Sequence, residues 1–301
     1  MGWGCFLMKR ILVVGCGNVG LAAAKALEEA KDFALFGFLR QKEETVPGFS
    51  DKPVWTNAEG IEPKPDGVVL AVPSRKTEKL AKKFLSMGIY TVDACDLHGD
   101  LPRIRQVLKT AAEKTETVAV TGAGWDPGLD SALRALFLAA APEGTTDTTF
   151  GPGVSMGHTA AVKAVSGVSD ALAFTLPGGK GKQKREVYVK IEKATDEKRV
   201  EHAILTDPYF EHDKTKVHFK DDLSAIRTSR HRVRIDRIGT SAGQTGQKLF
   251  FSMAVDNPAL TGQLLVSAMR SAFHQKPGCY YFSELPPASF LLDESSLLDA
   301  L

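Results

Sequence analysis

The chain is poor in the residues that build metal or disulfide frameworks. Its 301 residues include four cysteines, Cys5, Cys16, Cys95 and Cys279, and none stands within metal-ligand spacing of another. That argues against a structural zinc or a disulfide scaffold and points to a reducing compartment, the cytoplasm. No run of roughly 18 apolar residues is present, so no segment is expected to span a membrane. Met1–Phe6 is apolar but lacks a basic flank and a long apolar stretch, which argues against a signal peptide. Met8-Lys9-Arg10 reads as a natural start just before the first strand signal, with the residues ahead of it as an extension. The net charge of +2 is too small to suggest nucleic acid or an acidic membrane as partner. Tandem repeats and low-complexity tracts are absent, as are a Ser/His/Asp order and an HExxH pattern, which sets aside the common hydrolase sites.

What is present fits a soluble globular chain of two domains, or of one domain with a large insertion, with 43% hydrophobic and 25% charged residues. In the first part, strand and helix signals alternate. Lys9–Gly15, Phe33–Arg40, Gly67–Pro73, Tyr90–Cys95 and Thr117–Gly122 are short apolar runs of the kind buried on both faces of a sheet. Asn18–Ala30, Arg75–Met87 and Asp100–Lys114 read as the helices between them. The alternation predicts an α/β fold, a Rossmann-type doubly wound parallel sheet. The pattern then changes. Glu186–Glu192, Lys214–Lys220, His231–Ile238 and Lys248–Val255 favour strands with few long helices between them, which predicts a second α+β domain with a mixed or antiparallel sheet. Asn257-Pro258 opens a helical pattern to about His274, and the tail around Leu285-Pro286-Pro287 reads as irregular. The expected division is a dinucleotide-binding domain over 1–122, with 258–301 packing back on it, and a substrate-binding and oligomerisation domain over 123–257.

Gly15-Cys16-Gly17-Asn18-Val19-Gly20 matches G-x-G-x-x-G between the first strand and the first helix. The first glycine permits the tight turn, the second lets the backbone approach a pyrophosphate, and the third lets helix and sheet pack closely. The helix N-terminus then offers unpaired N–H groups to the anion. At the end of the second strand, where an NAD site places a carboxylate, stand Arg40 and Gln41. A guanidinium pairs with a 2′-phosphate that a carboxylate would repel, so NADP is favoured over NAD. The bland alternative for Arg40 is a solvated strand end. Ala71-Val72-Pro73-Ser74, Ala94-Cys95 and Ala123-Gly124 follow the third, fourth and fifth strands, at the carboxyl edge where open α/β sheets bind ligands.

Asp96 and Asp126 fall at the same edge, and Asp93 precedes them. Carboxylates beside a nicotinamide suit a cationic substrate, since they hold an ammonium group and accept its proton. Asp126 reads equally well as a helix cap ahead of Pro127 at the first helical position. In the second domain, alternation puts Arg185 on one face with Val187, Val189 and Ile191, and a guanidinium there needs an anionic partner such as a substrate carboxylate. His231 shares a face with Val233 and Ile235, and by itself reads as a satisfied core histidine. The basic run Gly181–Arg185 reads as a solvated turn at Lys182 and Lys184, and His158 as a helix-start residue.

Gly124–Gly128 (GWDPG), Gly151–His158 (GPGVSMGH) and Val92–His98 (VDACDLH) together resemble the meso-diaminopimelate dehydrogenases, and the resemblance runs from the glycine turn to the C-terminal helix. It implies reversible, NADP-dependent oxidative deamination of meso-2,6-diaminopimelate at its D-centre, a step of lysine biosynthesis, by a homodimer or higher homo-oligomer. It also implies that Asp96 and Asp126 hold the reacting amino group and that Trp125 walls the pocket. Phe150, Met156 and Gly157 would line the cavity, and Thr175, Arg185, His231 and Asn257 would bind the distal amino-acid end. The short connection Gly178–Lys184 resembles the shorter family subtype and leaves subunit number and strictness of substrate choice open. Ala160 and Ala161 replace more polar residues of some relatives. Two other readings stand beside this one: a related NADP-dependent dehydrogenase acting on an amino acid or diamine such as 2,4-diaminopentanoate, and a non-catalytic NADP-sensing regulator.

Overall fold

The computed structural model describes residues 8–179 and 182–292. The apolar segment Met1–Phe6 with Cys5, and Lys180-Gly181 of the short connection Gly178–Lys184, lie outside them. The chain separates into two compact units, Met1–Ala132 with Pro258–Leu301, and Leu133–Asn257.

The first unit follows from its apolar runs. Strands β1 (Lys9–Val14), β2 (Phe33–Leu39), β3 (Val54–Trp55), β4 (Gly67–Leu70), β5 (Tyr90–Asp93) and β6 (Val118–Thr121) alternate with helices α1 (Asn18–Glu29), α2 (Ser74–Ser86) and α3 (Leu101–Lys114). Helix α4 (Leu129–Ala140) leads out of the unit. A late helix, α7 (Asn257–Ala272), and a last strand, β14 (Gly278–Tyr281), complete it. The seven strands form one parallel sheet in the order β14-β6-β5-β4-β1-β2-β3. Successive side chains of a strand point to opposite faces, so each strand feeds two cores. Ile11 and Val13 pack with Ala23 and Leu27 of α1 and Leu265, Val266 and Met269 of α7. Leu12 and Val14 pack with Phe84 and Leu85 of α2 and Ile104 and Leu108 of α3. The sheet is therefore doubly wound, as the alternation predicts, and each fully buried leucine or phenylalanine contributes about 2 kcal/mol. The region after Leu285 makes a short 3-10 turn, Pro287–Phe290.

The second unit holds β7 (Glu143–Phe150), β8 (Gly153–Val154), α5 (Met156–Lys163), β9 (Val168–Gly179), β10 (Lys182–Ile191), α6 (Glu197–Leu205), β11 (Lys214–Phe219), β12 (Arg230–Ser241) and β13 (Gln244–Asp256). These strands form a mixed four-stranded sheet, β11-β10-β9-β8, and an antiparallel three-stranded sheet, β13-β12-β7. Ala171, Ala173, Val187 and Val189 of the first sheet pack on Ala161 and Val162 of α5 and Val200 and Ile204 of α6. Both alternations read from the sequence hold: Arg185, Val187 and Val189 are buried on one face of β10, and His231, Val233 and Ile235 on one face of β12. Arg232 and Arg234 are exposed.

Candidate active site

The glycine turn is fixed by sterics. Gly15 has φ +93°, and a Cβ there would lie 2.3 Å from the Ala71 carbonyl oxygen. A Cβ on Gly20 would lie 2.0 Å from the Gly15 carbonyl oxygen, so only glycine lets α1 pack this close to the turn. A Cβ on Gly17 would meet nothing within 4 Å, and Gly17 caps α1 without a side-chain bond. The space above the turn and the N–H groups of the first helical turn suit a pyrophosphate, and Cys16, Asn18 and Val19 frame that approach. Arg40 follows β2 beside this turn: its charge is felt at Cys16, whose thiol burial nonetheless pushes upward. Its guanidinium donates to the Glu44 carbonyl at 3.3 Å and to the Glu44 carboxylate at 3.2 Å, and Gln41 beside it is exposed. Ala71, Val72, Pro73 and Ser74 lead from β4 into α2, on the same carboxyl edge of the sheet.

The next two strands end on the two carboxylates. Ser74 Oγ donates to Asp96 Oδ1 at 2.6 Å and accepts from the Asp96 amide at 3.1 Å, tying a predicted cofactor residue to a predicted substrate residue. Asp93, 1% exposed, sits beneath them. Its Oδ1 accepts from the Cys95 amide at 2.9 Å, the Thr121 hydroxyl at 2.9 Å and the Gly122 amide at 3.3 Å, so one oxygen ties the loop after β5 to the loop after β6. Burial pushes this carboxyl up to about 6, against the pull of those three donors. Ala94 and Cys95 lie in the first loop and Ala123 and Gly124 in the second, where the Ala123 amide donates to the Asp93 carbonyl at 2.8 Å.

Trp125 is buried, and Asp126 is half-buried in the turn that Gly124 and Gly128 close. Helix α4 begins at Leu129, its first helical bond running from the Ala132 amide to the Gly128 carbonyl, so Pro127 lies ahead of the first turn rather than in it. The Gly124 amide donates to the Pro127 carbonyl at 3.0 Å, which closes 124–128 as a loop ahead of the helix. A cavity of about 260 Å³ opens beside this loop, lined by His98, Pro102, Gly122, Pro127, Ser131 and Tyr281 among others.

The second unit gathers a buried polar group. Thr175, Arg185, His231 and Asn257 are all buried. Thr175 and Arg185 face each other across β9 and β10 and are hydrogen-bonded through the hydroxyl and the guanidinium. Gly153 pairs with Thr175, and a Cβ on Gly153 would lie 2.4 Å from the His231 Cα, so β8 seats the histidine against the pair. Phe150 meets the His231 ring edge-on, with centroids 6.5 Å apart. His231 Nδ1 donates to the Arg232 carbonyl at 2.9 Å. Burial, helped by the Arg185 charge, pushes His231 down to about 4, so the ring is neutral at neutral pH. Asn257 donates to the Val154 carbonyl at 3.3 Å. Met156 and Gly157 open α5 behind Ser155, whose hydroxyl lies 2.8 Å from His158 Nδ1, in keeping with the helix-start reading of His158.

Two side chains that sequence reasoning missed complete this group. Arg185 Nε donates to Asp213 at 2.6 Å, and Arg185 Nη2 to Gln183 at 2.5 Å. Gln183 stands two residues from Arg185 on the same strand and was within reach of the alternation argument. Asp213 is 28 residues away, and only the parallel pairing of β10 with β11 brings it near.

The sequence model of the diaminopimelic acid dehydrogenase C-terminal domain matches residues 124–181. A meso-diaminopimelate D-dehydrogenase of Bacteroides fragilis is 40% identical over 94% of this chain and 95% of its own. The chain belongs to the meso-diaminopimelate D-dehydrogenase family. The enzyme of that name from Lysinibacillus sphaericus is 32% identical over 87% of this chain and 88% of its own. Among solved structures, a C. glutamicum DAP dehydrogenase in complex with DAP superposes with a TM-score of 0.86 at 27% identity, covering 97% of this chain and 98% of that one. An engineered D-amino acid dehydrogenase bound to NADP+ superposes with a TM-score of 0.87 at 27% identity, covering 98% and 99%. Like these family members, the chain is an oxidoreductase with a nicotinamide-cofactor fold. No helix among the described residues is long and apolar enough to cross a membrane.

Proposed function

We propose that this chain is a cytoplasmic, NADP-dependent enzyme of lysine biosynthesis. It catalyses reversible oxidative deamination of meso-2,6-diaminopimelate at the D-centre to L-2-amino-6-oxopimelate, which cyclises to tetrahydrodipicolinate, with release of ammonia. Family membership supplies the reaction. The observation that carries the substrate is the buried group Thr175, Arg185, His231 and Asn257, because a cation among apolar side chains, backed by neutral hydrogen-bonding groups, suits an amino-acid head.

The residues divide the work. The turn Gly15–Gly20 holds the pyrophosphate through backbone N–H groups and the dipole of α1. Arg40 takes the 2′-phosphate, exchanging its Glu44 contact for a doubly charged group. When bound, the nicotinamide supplies the hydride acceptor. Asp96 and Asp126 hold the reacting ammonium group; one of them takes its proton and gives it up to solvent, and then takes a proton from the water that attacks the imine carbon, returning it to the departing ammonia. Trp125 is held rigid by burial and orients the reacting carbon. Phe150, Met156 and Gly157 line the cavity, while Thr175, Arg185, His231 and Asn257 hold the distal head. A diamine such as 2,4-diaminopentanoate has no distal carboxylate for Arg185, and a mere cofactor sensor needs none of these groups.

We further propose a homo-oligomer assembled through the second unit. Leu136 and Leu138 of α4, Ile238 of β12 and Phe250 of β13 are exposed there, between 49% and 68%. Apolar groups of this size call for a partner surface, and a second copy is the simplest one. A monomeric mass in solution at micromolar concentration would contradict it.

The reaction is tested with meso-diaminopimelate deuterated at the D-centre. Deuterium is expected in the NADPH formed, with a primary isotope effect on single-turnover reduction. Unlabelled NADPH from that substrate would overturn the assignment.

A further inference from the structure

Arg185 already has an anionic partner in the protein itself. Its guanidinium carries five N–H donors. Nε is taken by Asp213, Nη1 by Thr175 and Nη2 by Gln183. The side chain of Arg185 is 8% exposed and that of Asp213 20%. The carboxylate is not a passing contact, because its backbone is anchored on both sides: the Asp213 amide donates to the Phe210 carbonyl at 3.1 Å, and Thr215 Oγ1 donates to the Asp213 carbonyl at 3.2 Å. Phe210 is itself buried in the unit's core. Lys184 and Lys214, the nearest cations along the two strands, are exposed. His231, whose ring feels the Arg185 charge, is neutral.

The charge on the clamp is thus balanced before any ligand arrives. We propose that Asp213 is a positioning residue that sets specificity: it orients the Arg185 guanidinium and tempers the pull of Arg185 on the distal carboxylate of the substrate. The inference rests on the reading of Arg185 as the distal clamp. A bare buried guanidinium would bind any small carboxylate tightly and release product slowly. With Nε occupied and the charge compensated, a single carboxylate gains little. A ligand holds only if its second head is also seated, so the clamp favours a molecule with two amino-acid heads over simple acids.

The test is Asp213→Asn, which keeps the shape and an oxygen acceptor for Nε–H but removes the charge. The KM for meso-diaminopimelate is expected to fall on the order of tenfold, the size of one lost charge repulsion at the edge of a protein. Competitive inhibition by glutarate should tighten by a similar factor, with kcat and the KM for NADP+ changed less than about twofold. A structural role alone would move KM upward, or not at all, and either result in a variant with the wild-type melting temperature overturns the proposal. If the asparagine variant does not fold, Asp213→Glu serves. Its longer carboxylate keeps the charge and reaches further over the guanidinium, so KM should rise, and an unchanged KM overturns the proposal equally. Arg185→Ala separates the two levels of the argument. If it leaves the KM for meso-diaminopimelate unchanged, the clamp reading and this inference fall together. If it raises that KM while Asp213→Asn has no effect, only this inference falls.

Discussion

On the proposed reading, Arg40 decides which dinucleotide the glycine turn takes. It stands where a carboxylate would bond a ribose hydroxyl, and its charged partner is Glu44, itself 58% exposed. A contact of that kind is worth less than about 1 kcal/mol, so a phosphate displaces it easily. Replacing Arg40 by Asp should move the ratio of kcat/KM for NADP+ over NAD+ toward NAD+ by at least about a hundredfold, the sum of a lost charge-assisted pair and a new repulsion. An unchanged ratio, measured by initial rates with each cofactor, would mean that another group reads the phosphate. At this scale the burial of the candidate residues was legible: Arg185 and His231 each stood out as a polar residue opening an apolar face, and both are buried. What alternation could not give was the partner. The expected anion for Arg185 was a substrate group, whereas a protein carboxylate holds its Nε, because no sequence periodicity encodes a contact across the helix between β10 and β11.

The two loops that carry the carboxylates are held by one buried group, Asp93. Its Oδ1 receives three donors from the two loops, while its Oδ2 is buried with no hydrogen-bond partner, an arrangement that costs stability. A carboxylate retained there on those terms is consistent with a demand for loop geometry. Asp93→Ala should therefore lower kcat for meso-diaminopimelate by on the order of tenfold or more, leave the KM for NADP+ within about twofold, and lose its effect largely in Asp93→Asn, whose amide oxygen can accept the same bonds. Equal kcat in the alanine and wild-type proteins would remove Asp93 from the account. Elements were read unevenly for a related reason. The five inner strands of the parallel sheet are buried on both faces and announce themselves as apolar runs. Strand β7 (EGTTDTTF) does not, because none of its threonines is buried and only its pairing with β12 makes it a strand. Strand β14 has four residues and arrives after α7, so nothing local marks it as the sheet's edge. Asp126 was read both as a helix cap and as a functional carboxylate because Asp-Pro begins helices and loops alike; here the 124–128 turn closes on itself before α4 starts.

For the molecule as a whole, the proposed reading divides the chemistry between residues of the two units. The parallel sheet supplies the cofactor turn and two carboxylates from its carboxyl edge, and the second unit supplies a compensated cation among neutral donors. Such a set of groups answers to a substrate that is cationic where it reacts and carries a second amino-acid head at its other end. A simple diamine or a lone cofactor would leave Arg185 and its companions without a task. The direct test is NADPH formation by the purified chain at alkaline pH with meso-diaminopimelate, the L,L isomer and 2,4-diaminopentanoate, each in turn. The account predicts turnover with the meso compound and rates at least about a hundredfold lower with the other two. Protein that binds NADP+ yet reduces none of it with meso-diaminopimelate, or that turns over 2,4-diaminopentanoate equally well, would contradict it.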